Sequence, residues 1–224
     1  MGAGEPMSPQ SRVLVVEDHP IFLKGLTHLL GVVPGVQVVG EASTRLQALE
    51  ALEAHRPDLV LVDLTLGDDN GLELIKDMKF RFPDLKVLVL SMHDERYYAD
   101  RAVAAGALGY CMKEEAVEHL VDAVKTVAAG GAWLGSSLRL AEKAKELKAR
   151  GGAASAVTNL SDREFEVFTW IGHGLRVAEI AARLNLSAKT VDTHKERVKV
   201  KLGLASSQEL RLFAIQWLSI EDRP

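Results

Sequence analysis

The chain contains a single cysteine, Cys111, in 224 residues, which excludes an intramolecular disulfide and makes a reducing compartment the default. No stretch approaches the roughly 20 apolar residues of a membrane-spanning helix. The opening Met1-Gly2-Ala3-Gly4-Glu5-Pro6 leads into no apolar segment of the kind a secretory leader needs. A cytoplasmic protein with no membrane partner is the expectation. Prolines are few, at 7, and with 47% hydrophobic and 26% charged residues the composition is that of a folded globular protein. An overall excess of positive charge is also missing. The net charge of −4 excludes a molecule coated in basic surface for a polyanion. That average conceals an asymmetry. Residues 157–224 carry ten Lys/Arg against nine Asp/Glu, a balance of +1, which leaves −5 for the first 156 residues. Any nucleic-acid surface is therefore local and belongs to the C-terminal part.

What is present is two patterns in succession, in a length that suits two compact domains. After a loose tail over residues 1–10, short β-branched runs alternate with longer helical segments. The runs are Val13–Val16, Val36–Val39, Leu59–Val62, Val87–Leu90 and a short Leu108–Tyr110. Such alternation predicts βαβ units and an open, doubly wound α/β fold with a parallel five-stranded sheet, its strands buried on both faces. Phe22, Leu26, Leu29 and Leu30 recur at helical spacing and give one covering helix its apolar face. This unit is expected over 11–131. Residues 132–156 read as a linker, with helix formers over 136–150 and a break at Gly151-Gly152-Ala153-Ala154-Ser155. From 157 to 224 the strand signals vanish. Ser161-Asp162-Arg163-Glu164 is a capping-box start, a short helix follows over 178–184, and Ser187 caps another that runs to about Leu202. A last helix is expected over 208–218. Two helices joined by a tight turn make a small all-α helix-turn-helix domain.

In a doubly wound sheet the chemistry lies just beyond the strand carboxyl ends. Glu17 and Asp18 follow the first strand and Asp63 the third, so three carboxylates are brought to one small volume. Left to themselves they repel and raise one another's pKa. A hard divalent cation removes the conflict, and Mg²⁺ suits a site with few carboxylates and water completing its shell. Ser91 ends the fourth strand and Lys113 follows the fifth, which adds a hydroxyl and an ammonium to the same rim. Metal, hydroxyl and ammonium together neutralise the oxygens of a phosphoryl group in transfer, with Asp63 as its acceptor. A single acid at a strand end merely starts a turn or caps a helix. Five such residues at the ends of four strands are a pattern.

The segments Val15-Val16-Glu17-Asp18-His19-Pro20, Asp58-Leu59-Val60-Leu61-Val62-Asp63-Leu64, Val87-Leu88-Val89-Leu90-Ser91-Met92-His93 and Gly109-Tyr110-Cys111-Met112-Lys113 resemble response-regulator receivers. The resemblance implies the flavodoxin-like strand order 2-1-3-4-5. It implies Mg²⁺ held by Glu17, Asp18, Asp63 and the backbone carbonyl of Thr65, and phosphate taken onto Asp63 from a sensor histidine kinase. It further implies that Ser91 and Tyr110 form a switch pair and that Lys113 contacts the phosphate. Gly67 and Glu114 depart from the family, where proline is frequent at both places. Cys111 reads as a packed residue, and His93 as a neighbour of the site that could tune dephosphorylation.

In the helix begun by Ser187, Val191, His194, Val198 and Leu202 fall on one stripe, which leaves Asp192, Thr193 and Glu196 on the opposite face. Residues 187–202 hold five Lys/Arg against two Asp/Glu, a local excess the whole chain lacks. The segments Leu160-Ser161-Asp162-Arg163-Glu164-Phe165-Glu166-Val167-Phe168, Gly174-Leu175-Arg176-Val177-Ala178-Glu179-Ile180-Ala181-Ala182-Arg183-Leu184, Leu186-Ser187-Ala188-Lys189-Thr190-Val191-Asp192-Thr193-His194 and Lys201-Leu202-Gly203-Leu204 resemble, over 158–219, the LuxR/NarL helix-turn-helix. This implies binding to double-stranded DNA in the major groove, with Asp192, Thr193 and Glu196 near base edges. Lys189, Thr190, Arg197, Lys199 and Lys201 would lie near phosphates. It also implies a homodimer of the active form, paired through the last helix.

A dehydrogenase is disfavoured because no Gly-x-Gly-x-x-Gly follows the first strand. A hydrolase using an aspartyl nucleophile would want an acid where Thr65 stands. The expectation is a transcription regulator and not an enzyme, with slow autodephosphorylation as its only turnover.

Overall fold

The computed structural model describes residues 10–67, 69–93, 95–134, 157 and 159–221. Residues 1–9 of the tail expected over 1–10, and the linker helix expected over 136–150, lie outside the described residues. The chain divides into two compact units, Met1–Ser137 and Leu138–Pro224.

The first unit runs β1 (Ser11–Val16), α1 (Pro20–Gly31), β2 (Val36–Ala42), α2 (Arg45–His55), β3 (Leu59–Val62), a hairpin of β4 (Thr65–Leu66) and β5 (Asp69–Asn70), α3 (Gly71–Arg81), β6 (Lys86–Ser91), α4 (Glu95–Ala105), β7 (Gly109–Met112), α5 (Ala116–Ala128) and β8 (Trp133–Leu134). The main sheet is parallel in the order β2-β1-β3-β6-β7-β8. Its first five strands follow the expected 2-1-3-4-5. The sheet has six strands and not five, because Trp133 and Leu134, read from sequence as linker, pair in parallel with Gly109 and Tyr110. Gly109 makes room for this strand. A Cβ there would lie 2.8 Å from the Trp133 carbonyl oxygen and from Leu88 Cδ1.

Alternating side chains explain the two covering layers. Val13, Val15, Leu59, Leu61, Leu88 and Leu90 point to one face and form a core with Leu23, Leu26 and Leu30 of α1 and Leu120, Val124 and Val127 of α5. The intervening Leu14, Val16, Val60, Val62, Val87 and Val89 are equally inaccessible. They face the layer of α2, α3 and α4, so the near-continuous apolar runs are those of strands covered on both sides.

The second unit is helical, with α6 (Asp162–Gly172), α7 (Val177–Arg183), α8 (Ala188–Leu202) and α9 (Ser207–Glu221). Ser161 and Glu164 make the reciprocal capping box expected of them. Ser187 caps α8 through Thr190 N–H, and Gly203 ends it in the left-handed conformation. Phe165 and Phe168 of α6 meet Trp217 of α9 edge to face at 5.7 and 5.6 Å. Among the described residues no helix is long and apolar enough to cross a membrane.

Candidate functional site

Parallel pairing of β1 with β3 sets Val16 beside Val62, so the residues that follow the two strands emerge side by side. The Asp63 N–H donates to the Val16 carbonyl at 3.0 Å, which continues the ladder one step into the loop. Oxygen atoms of Glu17, Asp18 and Asp63 accordingly lie within 4.8 Å of one another. Glu17 and Asp63 are buried, at 1% and 5% exposure, whereas Asp18 is exposed. Lys113 is delivered by β7, its own N–H bonded to the Ser91 carbonyl at 2.8 Å. Its Nζ lies 2.8 Å from Asp63 Oδ2, 2.6 Å from Glu17 Oε2 and 4.6 Å from the centre of the Phe22 ring.

Three acids against one ammonium leave the cluster with surplus negative charge. Burial is the largest influence on Asp63. Lys113 pulls its pKa down, Glu17 adds to the rise, and the net result is a value pushed up to about 6. Burial opposes the charge on Lys113 as well, but Asp63 and Glu17 outweigh it and raise that pKa. The donors around the acids are uneven. Thr65 N–H donates to Asp63 Oδ1 at 3.2 Å, Gly67 N–H to Asp18 Oδ2 at 2.8 Å and His19 N–H to Glu17 Oε1 at 3.0 Å. Glu17 Oε2 is buried without a directed hydrogen bond, held only by charge attraction to Lys113. Three convergent carboxylates facing a single ammonium, one of them with a buried oxygen that has no well-directed hydrogen bond, fit a hard cation with oxygen ligands.

Ser91 and Tyr110 both lie inside the unit, each at 0% exposure. The Tyr110 hydroxyl donates to the His93 carbonyl at 2.7 Å, and Ser91 Oγ accepts from His93 N–H at 3.1 Å. Sequence reasoning passed over two residues that support this geometry. Gly71 opens α3 against the back of the loop that carries Asp63, where a Cβ would come 2.3 Å from the Asp63 carbonyl oxygen and 2.5 Å from Leu64 Cα. The Asn70-Gly71 step marks a turn in the sequence, but the close approach behind Gly71 shows only in the fold. Phe22 supports Lys113 through its ring face, and only the fold reveals that contact. Cys111 is buried as expected, and burial pushes its thiol up to about 11.

On α8, Val191 and Val198 are buried, and His194 and Leu202 are half-buried. Burial, helped by the Arg197 charge, lowers the His194 pKa, and its Nδ1 has no hydrogen-bond partner. Lys189, Asp192, Thr193, Glu196 and Arg197 are exposed on the other side. The two acids have intrahelical partners: Lys199 Nζ is 2.8 Å from Glu196 and Lys195 Nζ is 3.9 Å from Asp192. Thr190 is half-buried and shares its hydroxyl with Ser187 at 2.8 Å in the helix cap. Lys201 is exposed but has partners within its own domain. Its Nζ lies 2.6 Å from Glu164 Oε2 and 3.3 Å from the Asn159 carbonyl, so its charge is engaged within the domain.

An acid cluster at the carboxyl edge of a doubly wound sheet, followed by a helix-turn-helix unit, defines a receiver joined to a DNA-binding domain. Residues 13–125 match the response regulator receiver domain, and residues 158–214 match the bacterial regulatory proteins of the luxR family. The chain is 35% identical over 205 residues to the DNA-binding transcriptional activator DevR/DosR of Mycobacterium tuberculosis, covering 92% of this chain and 94% of that protein. It is 33% identical to the response regulator GacA of Pseudomonas aeruginosa, covering 92% and 95%. RcsB from Salmonella enterica serovar Typhimurium, solved bound to promoter rprA with phosphomimetic BeF₃⁻, superposes with a TM-score of 0.60 at 28% identity, covering 92% of this chain and 98% of that one. The protein belongs to the LuxR/NarL family of response regulators.

Proposed function

We propose that Asp63 accepts a phosphoryl group from a sensor histidine kinase in the cytoplasm and that this modification controls binding of α8 to double-stranded DNA. The observation that carries the reading is the convergence of Glu17, Asp18 and Asp63 with Lys113 laid on Asp63. An Asp63 carboxylate oxygen attacks the phosphorus of the kinase phosphohistidine. The P–O bond forms as the P–N bond breaks, and the imidazole leaves with the electron pair. Lys113 and the Ser91 hydroxyl neutralise and orient the phosphoryl oxygens. Mg²⁺ held by Glu17, Asp18, Asp63 and the Thr65 carbonyl would supply further charge neutralisation. The acyl phosphate is lost again only by slow hydrolysis. On DNA, Asp192, Thr193 and Glu196 face base edges, while Lys189, Thr190, Arg197 and Lys199 face phosphates. Lys201 is left to its structural pairing with Glu164. Exposed Leu212 and Ile215 on α9 support pairing of two copies through that helix in the active form.

The test is incubation with acetyl phosphate and Mg²⁺ followed by intact-mass measurement. The wild type gains one phosphoryl group, and Asp63→Asn or chelation of the metal abolishes the gain. An equal gain in Asp63→Asn sinks the assignment.

A further inference from the structure

His93 gathers contacts that the acceptor chemistry above leaves unused. The residue lies two positions beyond β6 and is buried. Its Nε2 is 3.1 Å from Thr65 Oγ1, on the hairpin that follows Asp63. Its backbone N–H donates to Ser91 Oγ and its carbonyl accepts the Tyr110 hydroxyl. The imidazole stacks on Tyr98 of α4, with centroids 4.4 Å apart and planes inclined by 22°. One residue therefore touches the acceptor hairpin with its ring and both members of the Ser91/Tyr110 pair with its backbone.

These contacts depend on one another. A ring held between Thr65 and Tyr98 is restricted in rotamer, and its burial limits the water that could replace a lost partner. Its peptide groups then have little freedom to rotate away from Ser91 and Tyr110. Ser91 Oγ, while accepting from the His93 N–H, keeps its own proton to donate. Tyr110 is held inward by the carbonyl of the same residue.

We propose that His93 is a positioning residue that couples the Thr65 hairpin to the Ser91/Tyr110 pair, so that displacement of the acceptor hairpin is transmitted to the Tyr110 ring. This rests on the reading of Asp63 as phosphoacceptor and names the residue through which that site reaches Tyr110.

The experiment uses the full chain with ¹³C-labelled tyrosine rings and no phosphoryl donor, the Tyr110 signal being assigned with Tyr110→Phe. Thr65→Val removes the hydroxyl at nearly constant shape. It is compared in the wild-type and His93→Phe backgrounds. The expected result is a Tyr110 shift on Thr65→Val that falls at least several-fold in the His93→Phe background. No shift on Thr65→Val, or an equal shift in both backgrounds, overturns the proposal. Should His93→Phe fail to fold, His93→Leu provides the second background with the same two outcomes. Intact mass after acetyl phosphate and Mg²⁺ is measured on the same wild-type sample. A wild type that gains no phosphoryl group sinks the acceptor reading, whereas a gain with Tyr110 insensitive to Thr65 sinks the coupling alone.

Discussion

Glu164 is nearly inaccessible to solvent yet remains an anion, because Lys201 Nζ at 2.6 Å and the Ser161 N–H at 2.7 Å both donate to it. Burial raises its pKa, and the donors from Lys201 and Ser161 outweigh burial to lower it. With the folded value below the ordinary 4.5, the carboxylate contributes stability above that pH, and the contribution is lost as pH falls through the folded value. Glu164→Gln is therefore expected to cost about 1–3 kcal/mol at pH 7, with the difference from wild type shrinking below pH 4.5. Urea melts of the full chain at several pH values, followed by Trp170 and Trp217 fluorescence in a Trp133→Phe background, check this. An undiminished difference at low pH would count against it. This pair also marks what sequence conceals at the residue scale. The acids at strand ends were legible, because parallel pairing fixes where strand ends meet. The engagement of Lys201 was not, since a long side chain finds its partner only once α6 and α8 have docked. The same holds for Phe22 under Lys113.

At the scale of elements, two glycines set close approaches between packed segments. At Gly71 the first turn of α3 rests on the Asp63–Leu64 backbone, and its N–H donates to the Leu64 carbonyl at 2.8 Å. Gly71→Ala must push that backbone aside, and displacement of a reacting group by about 1 Å costs up to about a hundredfold in rate. Phosphorylation by acetyl phosphate should slow by at least about tenfold while the far-ultraviolet circular dichroism is retained. An unchanged rate would show that the loop tolerates the shift. At Gly172 a Cβ would meet Leu218 Cδ1 at 2.5 Å and the Ala214 carbonyl oxygen at 3.0 Å, where α6 crosses α9. Gly172→Ala should destabilise the helical unit by about 1–3 kcal/mol despite alanine's better helix propensity, read as a lower melting temperature of the Trp217 signal. Most elements were legible because their apolar period is long enough to declare itself. β8 was not, for two residues have no period, and only the space above Gly109 tells that a strand fits there.

For the molecule as a whole, the question is how a chain of net charge −4 holds DNA. The excess of lysine and arginine on α8 is smaller at its surface than a residue count implies, since Lys201 is held by Glu164 while Lys199 and Lys195 lie beside Glu196 and Asp192. Among the described residues, Lys189 and Arg197 are the exposed cations of this helix that form no ion pair with an acid. Each phosphate contact contributes about 0.9 to the slope of log K against log salt. Lys189→Ala and Arg197→Ala should each flatten that slope by about two units for a dimer carrying each residue twice. Lys201→Ala should leave the slope nearly as it was and lower the melting temperature instead, because it strips a buried carboxylate of its cation. Fluorescence-anisotropy titrations of the phosphorylated protein on one duplex across a salt series separate these outcomes. A slope that flattens with Lys201→Ala as much as with Arg197→Ala would mean that Lys201 leaves Glu164 for the phosphates when DNA binds.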